Sequence, residues 1–303
     1  LFLDVHNFAG YLKRFPQCHA IVPYLQALPS GESLEQRLQL LENESKSDPG
    51  RAPQLAAIRY YLHHLIWECQ RRWSDKHPVT NYGTILDQLR RARGTKPVLL
   101  VTFNYDTMIE RELSALGVIF SEIDDYIGNN DYMLFKLHGS INWGRAVKGA
   151  QFVGPSLDSW AVARLLIEGA ASIKLSDRYT VLPDHPIALS NNRSYFPAIA
   201  IPVQSKEQFE CPSHHIHHLH GRLKHVTKVV VIGWRATENH FLRLWKENSD
   251  RPIPVQVVAK DRTDAEGTLS RIQEAGIQLQ GTALEGGFTD YVLSREAERF
   301  LAE

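Results

Sequence analysis

KPVLLVTFNYD occupies residues 96–106, and FKLHGS follows at residues 135–140. Each stretch contains a short apolar run that ends abruptly at polar residues. The run at 98–101 is apolar without alternation, which is typical of a strand covered on both faces, and a helix that stops at Gly117 is predicted over 107–116. Because ligands of open α/β sheets bind beyond the carboxyl ends of the strands, the polar ends of both runs predict a site at that edge.

Three reactive or hydrogen-bonding side chains follow these runs: Asn104 and Asp106 after the first, and His138 after the second. A carboxamide, a carboxylate and an imidazole at one sheet edge indicate an active site. Each also has a structural interpretation. Asn and Asp are common helix N-caps, and Asp106 stands directly before the predicted helix. His138 taken alone is typical of a buried structural histidine.

The sequences TFNYD at 102–106 and LHGS at 137–140 resemble the motifs of the sirtuin-like (SIR2-like) family. Members of that family carry Thr-Gln-Asn-x-Asp and a later His-Gly, and they include bacterial NAD-cleaving effectors of antiphage defence. This sequence has Phe103 where the family has Gln. A third similarity is VVVIGW at 229–234, which is like the late strand and glycine turn of that fold. The resemblance covers roughly residues 97–290.

The resemblance implies hydrolysis of the nicotinamide–ribose bond of NAD to nicotinamide and ADP-ribose, with NAD as substrate and no metal. It implies that Asn104 binds the ribose or positions the water, and that His138 is the general base on a ribose hydroxyl. It implies that Asp106 engages the carboxamide of the substrate. The residues implied to bind the dinucleotide are Thr102, Phe103, Asp106, Gly139, Ser140, Gly233 and Trp234.

Two alternatives to hydrolysis remain open. One is a catalytically silent module that binds NAD or ADP-ribose or only scaffolds an assembly. The other is protein deacylation, which the cysteine content disfavours, because the deacylating sirtuins generally carry a four-cysteine zinc module and this chain has only Cys18, Cys69 and Cys211. Phe103 also weakens the case for deacylation more than the case for hydrolysis.

The predicted fold is α/β, with a helical part over residues 1–96 and a Rossmann-like, doubly wound parallel sheet over 97–303. An insertion at about 145–227 interrupts the sheet, either as a lid or as an interface. The family opens with a first strand and a Gly-Ala-Gly-type phosphate loop, and this sequence has no such motif. Either that strand precedes Leu1 in a longer chain or the protein has dispensed with it. The helices within 1–96 favour the first alternative.

Apolar periodicity and turn residues predict the remaining elements. Before the first strand, helices are predicted at 34–42, 53–73 and 82–93, with Ser33 and Thr80 or Asn81 as N-caps. Within the insertion, 151–153 is strand-like and 160–169 has helical spacing. After residue 227, strands are predicted at 228–232, 254–259 and 277–279, and helices at 238–246, 263–275 (with Thr263 as N-cap) and 289–301.

The histidines between 214 and 225 suggest a metal site, because His214 and His218 have the i,i+4 spacing that can chelate a metal on a helix. No carboxylate accompanies them in an arrangement like His-Glu-x-x-His. We therefore expect a surface helix with polar faces and a buried stripe of Ile216, Leu219 and Leu223.

The composition limits the partners. The 303 residues carry 34 basic and 34 acidic side chains, which argues against a protein covered by a nucleic-acid-binding surface. The sequence has no run of about 18 apolar residues and no signal peptide, so we expect a cytoplasmic protein without a membrane partner. By resemblance to the defence effectors, we expect a homo-oligomer, a partner defence protein, or both.

Overall fold

The computed structural model describes residues 13–20, 22, 32–149, 158–182, 188–191, 193–202 and 209–302. Helices and parallel strands alternate in a mixed α/β fold, which confirms the α/β class predicted from the sequence. The strand predicted at 151–153 lies outside the described residues. Within the described ranges, no helix is long and apolar enough to cross a membrane.

Most helices form close to their predicted positions. The described helices are α1 (Leu34–Ser45), α2 (Arg51–Ser74), α3 (Asn81–Ala92), α4 (Met108–Ala115), α5 (Asp125–Gly128), α6 (Ser159–Glu168), α7 (Ser213–Leu223), α8 (Asn239–Glu247), α9 (Arg262–Glu274), α10 (Gly287–Leu293) and α11 (Glu296–Ala302), with a short 3₁₀ helix at Pro16–Cys18.

Two predicted N-caps are confirmed, because side-chain oxygens accept hydrogen bonds from amides in the first turn. Ser33 forms a capping box with Gln36, in which each side chain bonds the other residue's backbone N–H, at 3.2 and 2.7 Å. The Thr80 hydroxyl accepts from the Gly83 N–H at 2.9 Å. These caps fix where α1 and α3 begin.

The predicted cap of α9 is wrong. The Asp261 carboxylate, rather than Thr263, accepts from the Asp264 N–H at 2.9 Å. Within the same helix, Glu266 forms an ion pair with Arg262 at 2.8 Å. An aspartate two residues earlier already satisfies the first amides, so the helix begins at Arg262.

The single helix predicted at 289–301 is also wrong, since α10 and α11 are separate. Arg295 between them has a φ of 55°, a left-handed conformation that an α-helix cannot contain. Residues with high helix propensity stand on both sides of Arg295, so the sequence pattern predicted one continuous helix.

The strands fall into three sheets among the described residues. They are β1 (Val98–Thr102), β2 (Tyr132–Lys136), β3 (Gly139–Val147), β4 (Leu175–Val181), β5 (Leu189–Ser190), β6 (Arg193–Ile199), β7 (Val229–Ile232), β8 (Ile253–Val258) and β9 (Leu279–Leu284).

Two of the sheets are parallel. β1 pairs with β2 from Val98 opposite Tyr132 to Thr102 opposite Lys136. β7, β8 and β9 form a three-stranded sheet in that order. The helices α4 and α5 lie between β1 and β2 in the chain, as a parallel connection requires.

The third sheet is antiparallel, in the order β4-β3-β6-β5, and most of it lies within the predicted insertion at 145–227. α2 packs on this sheet together with α6. The Tyr60 hydroxyl donates to the Tyr195 carbonyl at 2.9 Å, and a ring nitrogen of His63 bonds the Ile141 carbonyl at 2.5 Å. Both side chains are buried. These long-range bonds connect α2 to β6 and to β3, the strand that begins within the LHGS motif.

Candidate functional site

In the loop after β1, two hydrogen bonds each join a side chain to the backbone N–H two residues later. The Thr102 hydroxyl accepts from the Asn104 N–H at 3.1 Å, and an Asp106 carboxylate oxygen accepts from the Met108 N–H at 3.1 Å. Such bonds offer the backbone an alternative to the strand ladder and start the next helix. Asp106 is not the N-cap anticipated as its structural interpretation, because Thr107 occupies that position and Asp106 bonds the first helical amide from one residue earlier.

Side chains alternate in direction along this loop. The rings of Phe103 and Tyr105 lie against the His138 ring, with centroid distances of 5.0 and 6.2 Å. Between them, the exposed Asn104 carboxamide donates to the Tyr82 hydroxyl of α3 at 3.2 Å. Asn104 and His138 thus follow neighbouring strands of one sheet, but their side chains contact different neighbours.

A buried ion pair contacts the backbone of the loop after β1. Lys136, at the end of β2, is 1% exposed and contacts the Glu110 carboxylate at 2.8 Å. Its ammonium also donates to the backbone carbonyl of Asp106. Burial raises the pKa of Glu110 and the Lys136 charge opposes that rise. Lys136 and Glu110 thus connect β2, α4 and the loop after β1.

The residues after β2 enter the antiparallel sheet at once. Gly139 has a φ of +81°, and a Cβ at this position would lie 1.9 Å from the Ala198 carbonyl oxygen. The Ile141 N–H donates to the Tyr105 carbonyl at 2.9 Å, and the Ser140 hydroxyl donates to the same oxygen at 3.4 Å. His138 is buried in this junction, and only glycine fits directly after it.

The end of β7 faces the end of β1. Gly233 turns the chain with a φ of +63° while its N–H donates to the Val258 carbonyl at 3.1 Å. The Trp234 indole then stacks on Phe103, with centroids 5.4 Å apart and an angle of 18° between the planes. Its N–H donates to the Glu238 carboxylate, which fixes the orientation of the indole.

A cavity of about 1230 Å³ lies between β1 and β7, extends along the whole length of both strands and reaches their carboxyl ends. Five of the residues predicted to contact substrate line it: Thr102, Phe103, Asn104, Gly233 and Trp234. The other four do not border it: Asp106, His138, Gly139 and Ser140.

Several residues at the site escaped the sequence analysis. Tyr82 orients Asn104, and Glu238 orients Trp234. The ring of His240 lies 6.4 Å from that of His138. Lys136 had a detectable signal, since it is a lone cation in the apolar run YMLFK. A charged residue at a fully buried strand position needs a buried partner, here Glu110.

The histidines of α7 do not all face solvent. His215 is fully buried, and burial lowers its pKa to about 4, while a ring nitrogen bonds the Ile123 carbonyl at 3.1 Å. His214 contacts the Asp124 carboxylate at 2.8 Å. One ligand atom each from Asp124, His214 and His215 lies within 4.8 Å of the others, but the Ile123 bond already occupies one ring nitrogen of His215.

Comparison of the chain with protein-family models, curated proteins and solved structures yields no match. Function must therefore be argued from the site itself.

Proposed function

We propose that this chain is a Rossmann-like, SIR2-like domain that hydrolyses NAD to nicotinamide and ADP-ribose. The observation that carries the proposal is that the loops after β1 and β7 border one cavity, with Asn104 on one side and Gly233 and Trp234 on the other. The carboxyl ends of β1 and β7 border this cavity, and α/β folds bind ligands at the carboxyl ends of parallel strands.

The reaction needs little acid catalysis from the protein. The bond between C1′ of the ribose and the nicotinamide nitrogen breaks with its electrons going to the nitrogen, so a neutral ring departs. Positive charge develops on the ribose, and water adds to C1′ and releases one proton. The Asn104 carboxamide is suited to hold the ribose or the water, and the aromatic faces of Phe103 and Trp234 favour positive charge nearby.

His138 is the proposed general base, a role suited to an imidazole. The ring of His138 lies 5.0 Å from that of Phe103, and Phe103 itself lines the cavity. For His138 to accept a proton directly, the Phe103 ring has to turn aside when substrate binds. This requirement distinguishes the proposed enzyme from one whose base is already exposed to the cavity.

The test is release of nicotinamide from NAD, followed by chromatography. We expect Asn104→Ala and His138→Ala each to lower kcat by about a hundredfold or more. Asn43→Ala and His220→Ala are matched controls, because both residues are exposed and neither lines the cavity. Full activity in both site variants would overturn the mechanism.

A second candidate is a module that binds NAD or ADP-ribose without turnover. The observation that favours it is that His138 does not border the cavity. Calorimetry that detects nucleotide binding by a chain releasing no nicotinamide would select this candidate. Loss of that binding in Trp234→Leu would assign it to the same cavity.

We also propose, on the resemblance alone, an antiphage effector that depletes the cytoplasmic NAD pool when it assembles or meets a partner protein. The expected result is a fall in cellular NAD after phage infection that His138→Ala abolishes. Sedimentation of the protein before and after activation tests the assembly.

A further inference from the structure

The first turn of α7 carries a group of side chains that the proposed reaction does not use. One ligand atom each from Asp124, His214 and His215 lies within 4.8 Å of the other two. No other group of three histidine, cysteine or carboxylate side chains within the described ranges comes this close together. None of these three residues lines the cavity between β1 and β7. Two imidazoles and a carboxylate are a ligand set that binds Zn²⁺.

The carboxylate of this group comes from a distant part of the chain. The sequence of α7 contains no acidic residue. Asp124 stands 90 positions before His214, and its carboxylate contacts the His214 Nε2 at 2.8 Å. A ligand so far away in the chain produces no recognisable spacing, so the sequence pattern of α7 did not indicate it.

His218, which has the chelating i,i+4 spacing from His214, is not part of the group. The His218 Nε2 accepts a hydrogen bond from the Arg222 Nε at 3.3 Å, so a cationic group already uses that lone pair. The His218 ring also stacks on Phe135, with centroids 6.3 Å apart. The second imidazole is instead that of His215, the next residue along the helix.

The Asp124 carboxylate is not used by the backbone around it. Asp124 is the N-cap residue of α5, yet its side chain makes no capping hydrogen bond. The carboxylate of Asp125 instead accepts from the amides of Ser121 and Glu122, at 2.7 and 2.8 Å. Asp124 is therefore available for a contact with α7.

His215 supplies a ligand that is already held in place. Its side chain is fully buried, and its Nε2 bonds the Ile123 carbonyl at 3.1 Å. Because a carbonyl only accepts hydrogen bonds, Nε2 carries the proton and Nδ1 presents a lone pair. Nδ1 is buried and has no hydrogen-bond partner among the described residues. A buried acceptor without a partner costs free energy, which a bound cation would recover.

The bond from His215 to Ile123 has the form expected around a metal ion. Histidines that bind a metal through one ring nitrogen usually donate the N–H of the other to a carbonyl or carboxylate, which fixes the tautomer and the ring orientation. His215 makes this bond through Nε2 and keeps Nδ1 for a ligand. Burial also lowers the pKa of His215 to about 4, so its ring is neutral at pH 7, as a metal ligand must be.

The distances are close to those that an ion requires. Zn²⁺ lies about 2.0–2.2 Å from nitrogen and oxygen ligands, which places tetrahedral ligand atoms about 3.3 Å from one another. The contact between His214 and Asp124 at 2.8 Å is slightly shorter than this, and the upper limit of 4.8 Å within the group is longer. Both of these side chains are exposed, so rotation can adjust them around the buried His215.

We propose that Asp124, His214 and His215 bind one Zn²⁺ ion, with a water molecule as the fourth ligand. Three protein ligands and one water are a known coordination of Zn²⁺ in proteins. The ion would connect α5, which lies between β1 and β2 in the chain, to the first turn of α7. The proposed hydrolysis of NAD involves no metal, so this proposal stands or fails independently of that one.

Equilibrium dialysis of the protein, prepared without a histidine tag, against micromolar Zn²⁺ tests the proposal. We expect one ion per chain. His214→Ala and Asp124→Asn should each weaken binding by about a hundredfold or more, because loss of even an outer-shell partner costs about 10–100-fold. Both residues are exposed, so both variants should fold, which circular dichroism checks. His220→Ala and Glu122→Gln are the matched controls, because both residues are exposed and lie outside the group.

Co²⁺ in place of Zn²⁺ gives a second readout. Four-coordinate Co²⁺ absorbs visible light far more strongly than Co²⁺ held by water and a single surface imidazole. We expect the strong absorption in the parent chain and in both control variants. It should be absent in His214→Ala and in Asp124→Asn.

Three outcomes would overturn the proposal. The first is that the parent chain retains no Zn²⁺ in the dialysis. The second is that Zn²⁺ binding or the Co²⁺ absorption survives unchanged in His214→Ala and Asp124→Asn, which would assign the ion to other histidines. The third is that the two control variants weaken binding as much as the two site variants do.

Discussion

The indole of Trp234 stacks on the ring of Phe103 at 5.4 Å, although the two residues are 131 positions apart in the sequence (234 − 103). Each follows a parallel strand of a different sheet, so the stack sets how close the two strand ends can come. The pair also forms the wall of the cavity beside Asn104. One aromatic contact therefore connects the ends of two strands from different sheets and borders the proposed substrate site.

If Trp234 also stacks on a ring of the substrate, its shape matters more than its hydrogen bond. We expect Trp234→Leu to raise KM for NAD by about tenfold, because stacking on an aromatic side chain contributes about 1–3 kcal/mol. Trp234→Phe keeps an aromatic face and loses only the bond to Glu238, so its KM should change less. Equal effects of the two variants would argue against stacking. Steady-state kinetics of nicotinamide release measures both.

The buried pair Lys136–Glu110 should tolerate joint replacement better than the loss of one partner. Lys136→Met leaves a carboxyl group buried without its cation, and we expect the free energy of unfolding to fall by about 3–5 kcal/mol. In Lys136→Met with Glu110→Gln, much of that loss should be recovered. Urea denaturation of the two variants and the parent chain provides the comparison. A double variant as unstable as the single one would show that the pair's charge is not the cause.

Gly139 tests the junction between β2 and β3. Gly139→Ala places a methyl group 1.9 Å from the Ala198 carbonyl oxygen at a φ of +81°, so the antiparallel pairing has to shift. Gly94→Ala is the matched control, because Gly94 has a φ of +60° and no atom within 4 Å of the added Cβ. We expect about 1 kcal/mol of destabilisation from the backbone conformation at Gly94 and several times that at Gly139. Similar losses would remove the steric argument.

Two buried histidines should make the protein sensitive to mild acid. Burial lowers the pKa of His63 and of His215 from 6.5 to about 4. Between these values the unfolded chain binds protons that the folded chain does not. The stability is therefore fully present above about pH 6.5 and is lost as pH falls toward 4, by on the order of 3 kcal/mol for each group.

Unfolding free energies measured from pH 7 to pH 4.5 check this expectation. His215→Gln keeps a donor for the Ile123 carbonyl but does not titrate, so its stability should depend less steeply on pH. His220→Gln, at an exposed position of the same helix, should follow the parent chain. A parent slope that His215→Gln leaves unchanged would contradict the assignment.

Much of the fold was predictable because its determinants are local. Ser33 with Gln36 and Thr80 with Gly83 define helix starts through atoms three residues apart. The prediction of Thr263 as the N-cap of α9 was wrong for a related reason. Asp261 competes for the amides at the helix start, and the sequence alone does not rank the two caps.

The candidate site was predictable only in part. The sequence identified both loops, and the structure places Asn104, Gly233 and Trp234 on one cavity. It did not indicate that the Phe103 ring would lie between His138 and that cavity, nor that Tyr82 would hold the Asn104 carboxamide. These contacts join residues far apart in the chain, and no local pattern encodes them.

The sequence by itself determined the α/β class, the ends of most helices and the polar ends of the strands, because apolar periodicity and capping act over a few residues. Tertiary structure alone decided which strands pair, that Lys136 meets Glu110, and that β1 and β7 line one cavity. The physical reason is that a strand satisfies half its backbone hydrogen bonds with a partner distant in the chain. Its own residues specify that a partner is needed but not which one.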